Sequence, residues 1–360
     1  MSVLTSSGRV NCSLTQLAVQ PVIYRLSTYG ELPTHLLEIL SRAATRLLDS
    51  DMLIAQTPRP FEQHLPAGRA ALTLSLPTHT LENSLARIEQ EGLARHYRLF
   101  MQNFAHLFSL FLTPQQYERA RACIESGSHL RFLMSDAGGP SLSSWRTVAH
   151  PEEDGYTLEV DKVWGMYAHL DGLAIVAART SGSFFPSAFL VWPQQYQTLK
   201  RTPCGEPFLG EVMQLGNVRG TIKVAQADRL KIGGPAVLNK YLTTVRPFLV
   251  RALMAHLTWL EREGRLVMTA QERASRDFIA AAARAKTQSD RYDSEDVHRV
   301  LALKFASNEL LVHLVGDDAV KHFADQRDLL AFTKMEGSSY RCYHELRAGM
   351  GVHAPQVQPA

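Results

Sequence analysis

Apolar residues recur at three- and four-residue spacing from Leu14 to about Ser128, and that period predicts helices. LPTHLLEILSRAATRLLDSDM carries it after a start signal at Thr34, and LENSLARIEQEGLARHYRLFMQNFAHLFSLFL carries it further, as one long helix from Leu81. In LTPQQYERARACIESG, Thr113 reads as an N-cap ahead of Pro114 at the first helical position. Between Leu130 and Ile232 the pattern changes to short β-rich runs punctuated by Gly and Pro. DGYTLEVDKVW (Asp154 to Trp164) opens on a turn pair and then alternates. LAIVAAR (Leu173 to Arg179) has the continuous apolar character of a buried strand, and SAFLVWP and GTIKVAQ follow the same logic. After Pro235 the helical period returns in VLNKYLTTVRPFLVRALMAHLTWLEREG. A polar break at AKTQSDRYDSEDV follows, and then VHRVLALKFASNELLVHLVG, its start marked by Asp293 with Asp296 three residues on. The predicted fold class is therefore mostly α with an inserted small β-domain: an N-terminal helical domain over 1–128, a middle β-domain over 129–235 and a C-terminal helical domain over 236–360. There is no internal repeat.

Composition removes several function classes. Apolar residues make up 45% and charged residues 20%, the balance of an ordinary chain with buried cores. Lys and Arg number 38 against 35 Asp and Glu, so the net charge of +3 gives no reason to expect a nucleic-acid partner. Cys12, Cys123, Cys204 and Cys342 lie far apart without a CxxC, and read as reduced thiols, neither a structural zinc set nor a disulfide framework. His96 and His106 are not at i and i+4 and lack an acidic partner at ligand spacing, so no metal site is expected. IGGPAV lacks the GxGxxG of a dinucleotide fold, and no Gly-x-Ser-x-Gly elbow occurs. The N-terminus has no basic start leading into an apolar run, and FLVRALMAHLTWL is broken by Arg251 and His256. These features predict a cytoplasmic chain with no membrane span.

The stretch TKMEGSSYRC places Glu336 before Gly337, Ser338 and Ser339. One reading is punctuation, with Gly337 closing one helix and Ser338 or Ser339 capping the next. That reading assigns the acid no chemistry.

Four stretches, in this order of helical, β and helical domains, resemble the acyl-CoA dehydrogenase superfamily over most of the chain. QRDLLAFTKMEGSSYRCYHEL is similar to the family's Arg-Asp, spacer, Glu-Gly-Thr arrangement, through Arg327-Asp328 and Glu336-Gly337-Ser338. DGYTLEVDKVWGMYAH is similar to its Gly-x-Lys-x-Trp-Ile-Thr strand, with Lys162 and Trp164 matching and Met166 replacing the Thr. RFLMSDAGGPSLSSWRT is similar to its Thr-Glu-Pro-Gly-Ala-Gly-Ser-Asp loop, with Met134 at the Thr position, Gly139 retained and Pro140 for the Ser. LTTVRPFLV is similar to the helix whose Arg-Pro step presents an arginine to the acyl thioester, here Arg246.

The resemblance implies FAD, with Met134, Ser135, Gly139, Trp164, Met166 and Ser338 around it and Gly316 at a junction with a neighbouring subunit of a homodimer or homotetramer. It implies Glu336 as the catalytic base, and Arg246 and Gly337 as substrate-binding residues. The reaction would introduce an α,β double bond into an acyl thioester carried on coenzyme A or on an acyl carrier protein, with the electron acceptor unnamed and a specialised biosynthetic pathway the setting. The family's Arg-x-Thr-Phe-Gly stretch is missing, and Arg262 or Arg265 stands as its substitute. A flavin-free binding or assembly subunit and a flavin monooxygenase on the same fold remain as alternatives.

Overall fold

The computed structural model describes residues 14–53, 78–97, 112–126, 128–139, 142–181, 186–210, 213–230, 235–289 and 293–348. Cys12, His106 and Pro140 lie outside them. Helices come first: α1 (Leu14–Leu26), α2 (Thr34–Leu53), α3 (Thr78–Glu91) and α4 (Pro114–Glu125). Thr113 caps α4 through a reciprocal pair with Gln116, and Pro114 follows at the first helical position. The long helix expected from Leu81 is interrupted. Gly92 adopts φ +84, and a Cβ there would meet the Trp259 indole at 2.9 Å, so close packing of that indole on the backbone ends α3. Helical geometry resumes over 93–97.

Seven strands follow: β1 (His129–Leu133), β2 (Val148–Glu152), β3 (Gly155–Met166), β4 (Gly172–Thr180), β5 (Ser187–Val191), β6 (Lys200–Phe208) and β7 (Met213–Ala225), with a short α5 (Pro193–Tyr196) between β5 and β6. Their order is β1-β4-β2-β3-β7-β6, with β5 also on β4. Strand β4 runs parallel to β1 and β2, while the β2-β3, β3-β7 and β7-β6 pairs are antiparallel. β4 shows why LAIVAAR reads as continuously apolar. Its alternate side chains serve two cores: Leu173 and Ile175 join the helical core, while Ala174, Val176 and Ala178 join a separate core within the sheet.

The C-terminal helices are α6 (Pro235–Arg262), α7 (Ala270–Thr287), α8 (Ser294–Gly316), α9 (Phe323–Phe332) and α10 (Ser339–Ala348). Asp293 caps α8, accepting from Asp296 N–H at 2.8 Å. Every residue of α8 from Val300 to Leu311 is buried, so this helix runs through the middle of the helical core. It carries Lys304, Ser307, Asn308 and Glu309 inside. Buried polar groups need partners, and those of Lys304 and Asn308 lie at the site. No helix among the described residues is long and apolar enough to cross a membrane.

Candidate active site at the Glu336 turn

Glu336 lies in the turn between α9 and α10. Its φ is 55, in the left-handed region, and Gly337 follows at φ 120. A non-glycine residue held there costs about 1–3 kcal/mol. Side chains from the two buried helices beneath offset that cost by binding the turn's carbonyls. Lys304 Nζ donates to Phe332 O at 2.9 Å, Asn308 Nδ2 to Thr333 O at 3.2 Å and Gly337 O at 3.1 Å, and Arg246 Nε to Glu336 O at 2.5 Å. Lys304 also donates to Asn308 Oδ1 at 2.7 Å. A cation and an amide thus complete the carbonyl end of α9, where the helix dipole favours positive charge. Ser338 accepts from Arg341 N–H at 3.3 Å, which makes it the cap of α10.

These contacts hold the backbone and leave the carboxylate alone. No hydrogen bond from a described residue reaches the Glu336 side chain. Burial raises its pKa, against the opposing pull of Arg246, Lys304 and Arg341. Tyr97 and Tyr241 are themselves raised well above the usual tyrosine value, by burial first and by the Glu336 charge among the lesser causes, which sets both phenols near the carboxyl. Tyr97 meets Phe332 edge-on at 5.8 Å and donates to Met166 Sδ at 3.4 Å. Tyr241 packs with Phe132 at 6.1 Å. The acid therefore faces an aromatic wall.

Met166 leads from that wall to β3. The β3-β7 register runs to Lys162↔Val218 and resumes at Gly165↔Gly216, so Val163 and Trp164 form a bulge opposite Asn217. Trp164 takes φ 56, donates its N–H to Asn217 Oδ1 at 3.2 Å, and is 64% exposed. Just before the bulge, buried Lys162 pairs with buried Asp136 at 3.2 Å and donates to Met134 O at 3.1 Å, while Val163 N–H donates to Ser135 O at 3.1 Å. Burial lowers the Lys162 pKa to about 8 against the pull of Asp136. Burial alone would raise Asp136, but the N–H groups of Arg146 and Gly138, Thr147 and the Lys162 charge hold it below its usual value. One ion pair thus ties the Met134-Ser135 loop, with Gly139 at its far end on φ 99, to the strand that carries Trp164 and Met166.

Asp328 joins the two halves. Its Oδ2 accepts the Leu209 N–H at 2.8 Å, linking α9 to the turn after β6. Met134, Ser135, Trp164 and Met166 are joined in one strand-and-loop unit, and Met166 is connected through Tyr97 to the surroundings of Glu336. Gly316 is not: it stands eight residues beyond Asn308 at the end of α8, about 12 Å along the helix. Arg246 lies at the turn as well: it is only 2% exposed, its Nε donates to the Glu336 carbonyl, and its buried Nη2 has no hydrogen-bond partner among the described residues. Lys304, Asn308, Tyr97, Tyr241 and Asn217 went unnoticed in the sequence. The only signal for the first two was their polar character inside an otherwise apolar helical run.

The ring end of a flavin fits these residues, since an open indole on a bulge offers an aromatic face beside the Met166-Tyr97 wall. The diphosphate end has less support. Arg265 makes a bidentate pair with Asp325 at 2.9 and 2.5 Å, and Arg262 serves the carbonyls of Glu89 and Gln90 as well as Glu263, so neither proposed substitute is free.

No family model matches the sequence, and no curated protein matches it either. Solved structures do. A glutaryl-CoA dehydrogenase from Mycobacterium smegmatis is 14% identical, covering 96% of this chain and 97% of its own, at a TM-score of 0.61. FkbI, described as acting in biosynthesis of the methoxymalonyl extender unit of a polyketide immunosuppressant, is 16% identical over 95% of this chain and 100% of its own, at 0.60. The prolyl acyl carrier protein oxidase AnaB is 15% identical over 94% and 89%, at 0.54. Matching over nearly the whole of both chains, this protein has the acyl-CoA dehydrogenase-like fold.

Proposed function

We propose that the chain is a flavin-dependent oxidoreductase that introduces an α,β double bond into an acyl thioester, with Glu336 as the base for the α-proton. The carboxyl of Glu336 carries this reading. It is raised by burial, fixed by side chains that touch only its backbone, and set in an aromatic wall. A punctuation residue has no need of such a setting.

Glu336 takes the proton from Cα onto a carboxylate oxygen, and a pKa lifted toward neutrality makes it a stronger base there. Arg246, Lys304 and Asn308 keep the turn from swinging the acid away, which preserves the short approach that proton transfer needs. Tyr97 and Tyr241 stand near the acid, and exposed Trp164 would give a flavin ring a face to lie against. A flavin held there would supply the acceptor for the hydride equivalent leaving Cβ. Solved structures of the same fold include enzymes named for coenzyme A and for carrier-protein thioesters, which supports either carrier. FkbI supports a specialised biosynthetic setting. A homodimer or homotetramer belongs to the same proposal. The engagement of Arg262 and Arg265 favours a second reading, a flavin-free binding subunit.

The test begins with the absorbance of the purified chain and an FAD titration, and continues with anaerobic mixing against acyl-CoA and acyl-carrier-protein thioesters. Bleaching of bound flavin by a thioester supports the proposal. A chain that stays colourless after FAD addition establishes the second reading instead, and bound flavin that no thioester bleaches overturns the assigned reaction.

A further inference from the structure

Three helix ends meet away from the Glu336 turn. The first turn of α2 brings His35, the first turn of α7 brings Glu272, and the last turn of α8 brings His313. His35 Nε2 lies 3.1 Å from His313 Nε2, His313 Nε2 lies 3.2 Å from Glu272 Oε1, and the three atoms are all within 4.8 Å of one another. Hydrogen bonds do not account for this. A ring nitrogen carries one proton or one lone pair, so His313 Nε2 cannot make a good bond to both neighbours at once. A cation between the three atoms uses all three lone pairs.

The ring geometry agrees. The His35 and His313 centroids are 4.9 Å apart with planes at 66°. A collinear N–H···N bond of this length would separate the centroids by about 5.4 Å, so the two rings are not aligned for a straight hydrogen bond.

The surroundings are those of ligating side chains. His313 Nδ1 faces Asp317 Oδ2 at 3.4 Å and His35 Nδ1 faces Glu38 Oε2 at 3.7 Å, while Glu272 Oε2 accepts the Thr269 N–H at 2.6 Å and so aims Oε1 inward. The side chains of His35, Glu272 and His313 are 15%, 7% and 8% exposed, which leaves a narrow way in on the His35 side.

We propose that His35, Glu272 and His313 bind one Zn2+, with water in the fourth position, as a clip across three helix ends. Two imidazoles and one carboxylate are a zinc donor set, and the site owes nothing to the flavin reading.

The test uses the tag-free full chain, stripped with EDTA and dialysed. Zn2+ is titrated by calorimetry, and Co2+ by its visible difference spectrum. One equivalent should bind. His35→Gln and His313→Gln should each weaken binding by more than about 100-fold, and Asp317→Asn by about 10–100-fold as an outer partner. His150→Gln, whose residue pairs with Glu159 on the sheet, should change nothing. Should His313→Gln fail to fold, His35→Gln at the more exposed ligand still gives the reading. No stoichiometric uptake by the native chain, or uptake undiminished in His35→Gln, overturns the site.

Discussion

Replacing Glu336 by Gln separates catalysis from stability, and the two should move in opposite directions. The amide keeps the shape of the side chain but cannot take a proton, so single-turnover bleaching of flavin by a thioester should slow by about 10² to 10⁴-fold. That is about 2.7 to 5.4 kcal/mol of barrier at 1.36 kcal/mol per factor of ten. Glu336→Asp should fall between, because shortening the arm draws the carboxylate back from Cα. For stability the sign follows from the raised pKa. Burial makes the folded state disfavour the carboxylate relative to the unfolded chain, so the contribution of Glu336 is fully present below its unfolded pKa and is lost as pH rises through its higher folded pKa. Gln does not titrate. The melting temperature of Glu336→Gln should therefore match the native chain near pH 4 and exceed it at pH 8. The opposing result is specific. Arg246, Lys304 and Arg341 surround the acid. If their attraction outweighed burial, Glu336→Gln would be the less stable protein at pH 8, and the account of a desolvated base would fail. Native bleaching rates in Glu336→Gln would remove the residue from the chemistry.

Lys304→Met removes a positive charge that lowers the Glu336 pKa, so the acid limb of the pH–rate profile should shift to higher pH; a limb that stays in place would show that Lys304 acts only on the backbone. Burial depresses Lys304 to about 8, so the native chain, compared with Lys304→Met, should gain thermal stability as pH rises from about 7 to 10, where the unfolded lysine still holds its proton and the folded one does not. Trp164→Ala should weaken FAD binding by about tenfold or more while shifting the stability of the flavin-free chain by less than about 0.5 kcal/mol, since the indole is 64% exposed; a large loss of stability would make Trp164 a packing residue. Gly92→Ala puts a methyl group 2.9 Å from the Trp259 indole at φ +84, and chemical denaturation should show a loss of about 1–3 kcal/mol; an unchanged midpoint would refute the steric cause of the break after α3.

What the sequence made legible was local. The Thr113-Pro114 start, the Asp293 cap, the Asp154-Gly155 hairpin turn and the β4 run are decided by side chains acting on their own backbone or by a burial period, and the structure contains each of them. The gap in the long helix was not legible, because Gly92 is broken by Trp259, which belongs to α6. The site divides differently. Glu336 stood out through its likeness to a Glu-Gly-Thr arrangement, and Lys162 and Trp164 through their likeness to a Gly-x-Lys-x-Trp-Ile-Thr strand, so these were legible by resemblance and not by local pattern. Nothing in LTTVRPFLV says that Glu336 O, 90 residues on, will receive the Arg246 guanidinium. The zinc clip shows the limit most clearly. His35 and His313 are 278 residues apart, beyond any spacing rule, and the acid that His313 meets at i+4, Asp317, faces Nδ1 and is not one of the three ligands.

Both groups of residues depend on α8. Its apolar faces bury it along the centre of the helical core, and several of its polar side chains find partners where other elements end, Lys304 and Asn308 at the close of α9 and His313 at the starts of α2 and α7, while Glu309 pairs with Arg46 within α2 at 2.8 Å. A polar group on a buried helix must be satisfied by whatever leaves backbone or charge unpaired nearby, and helix termini are where such groups are left. The same requirement that fixes the Glu336 turn also draws His313 to Glu272 and His35. A shift of α8 by one residue would move both sets of contacts together, so the geometry of the acid and the geometry of the clip are set by a single helix register.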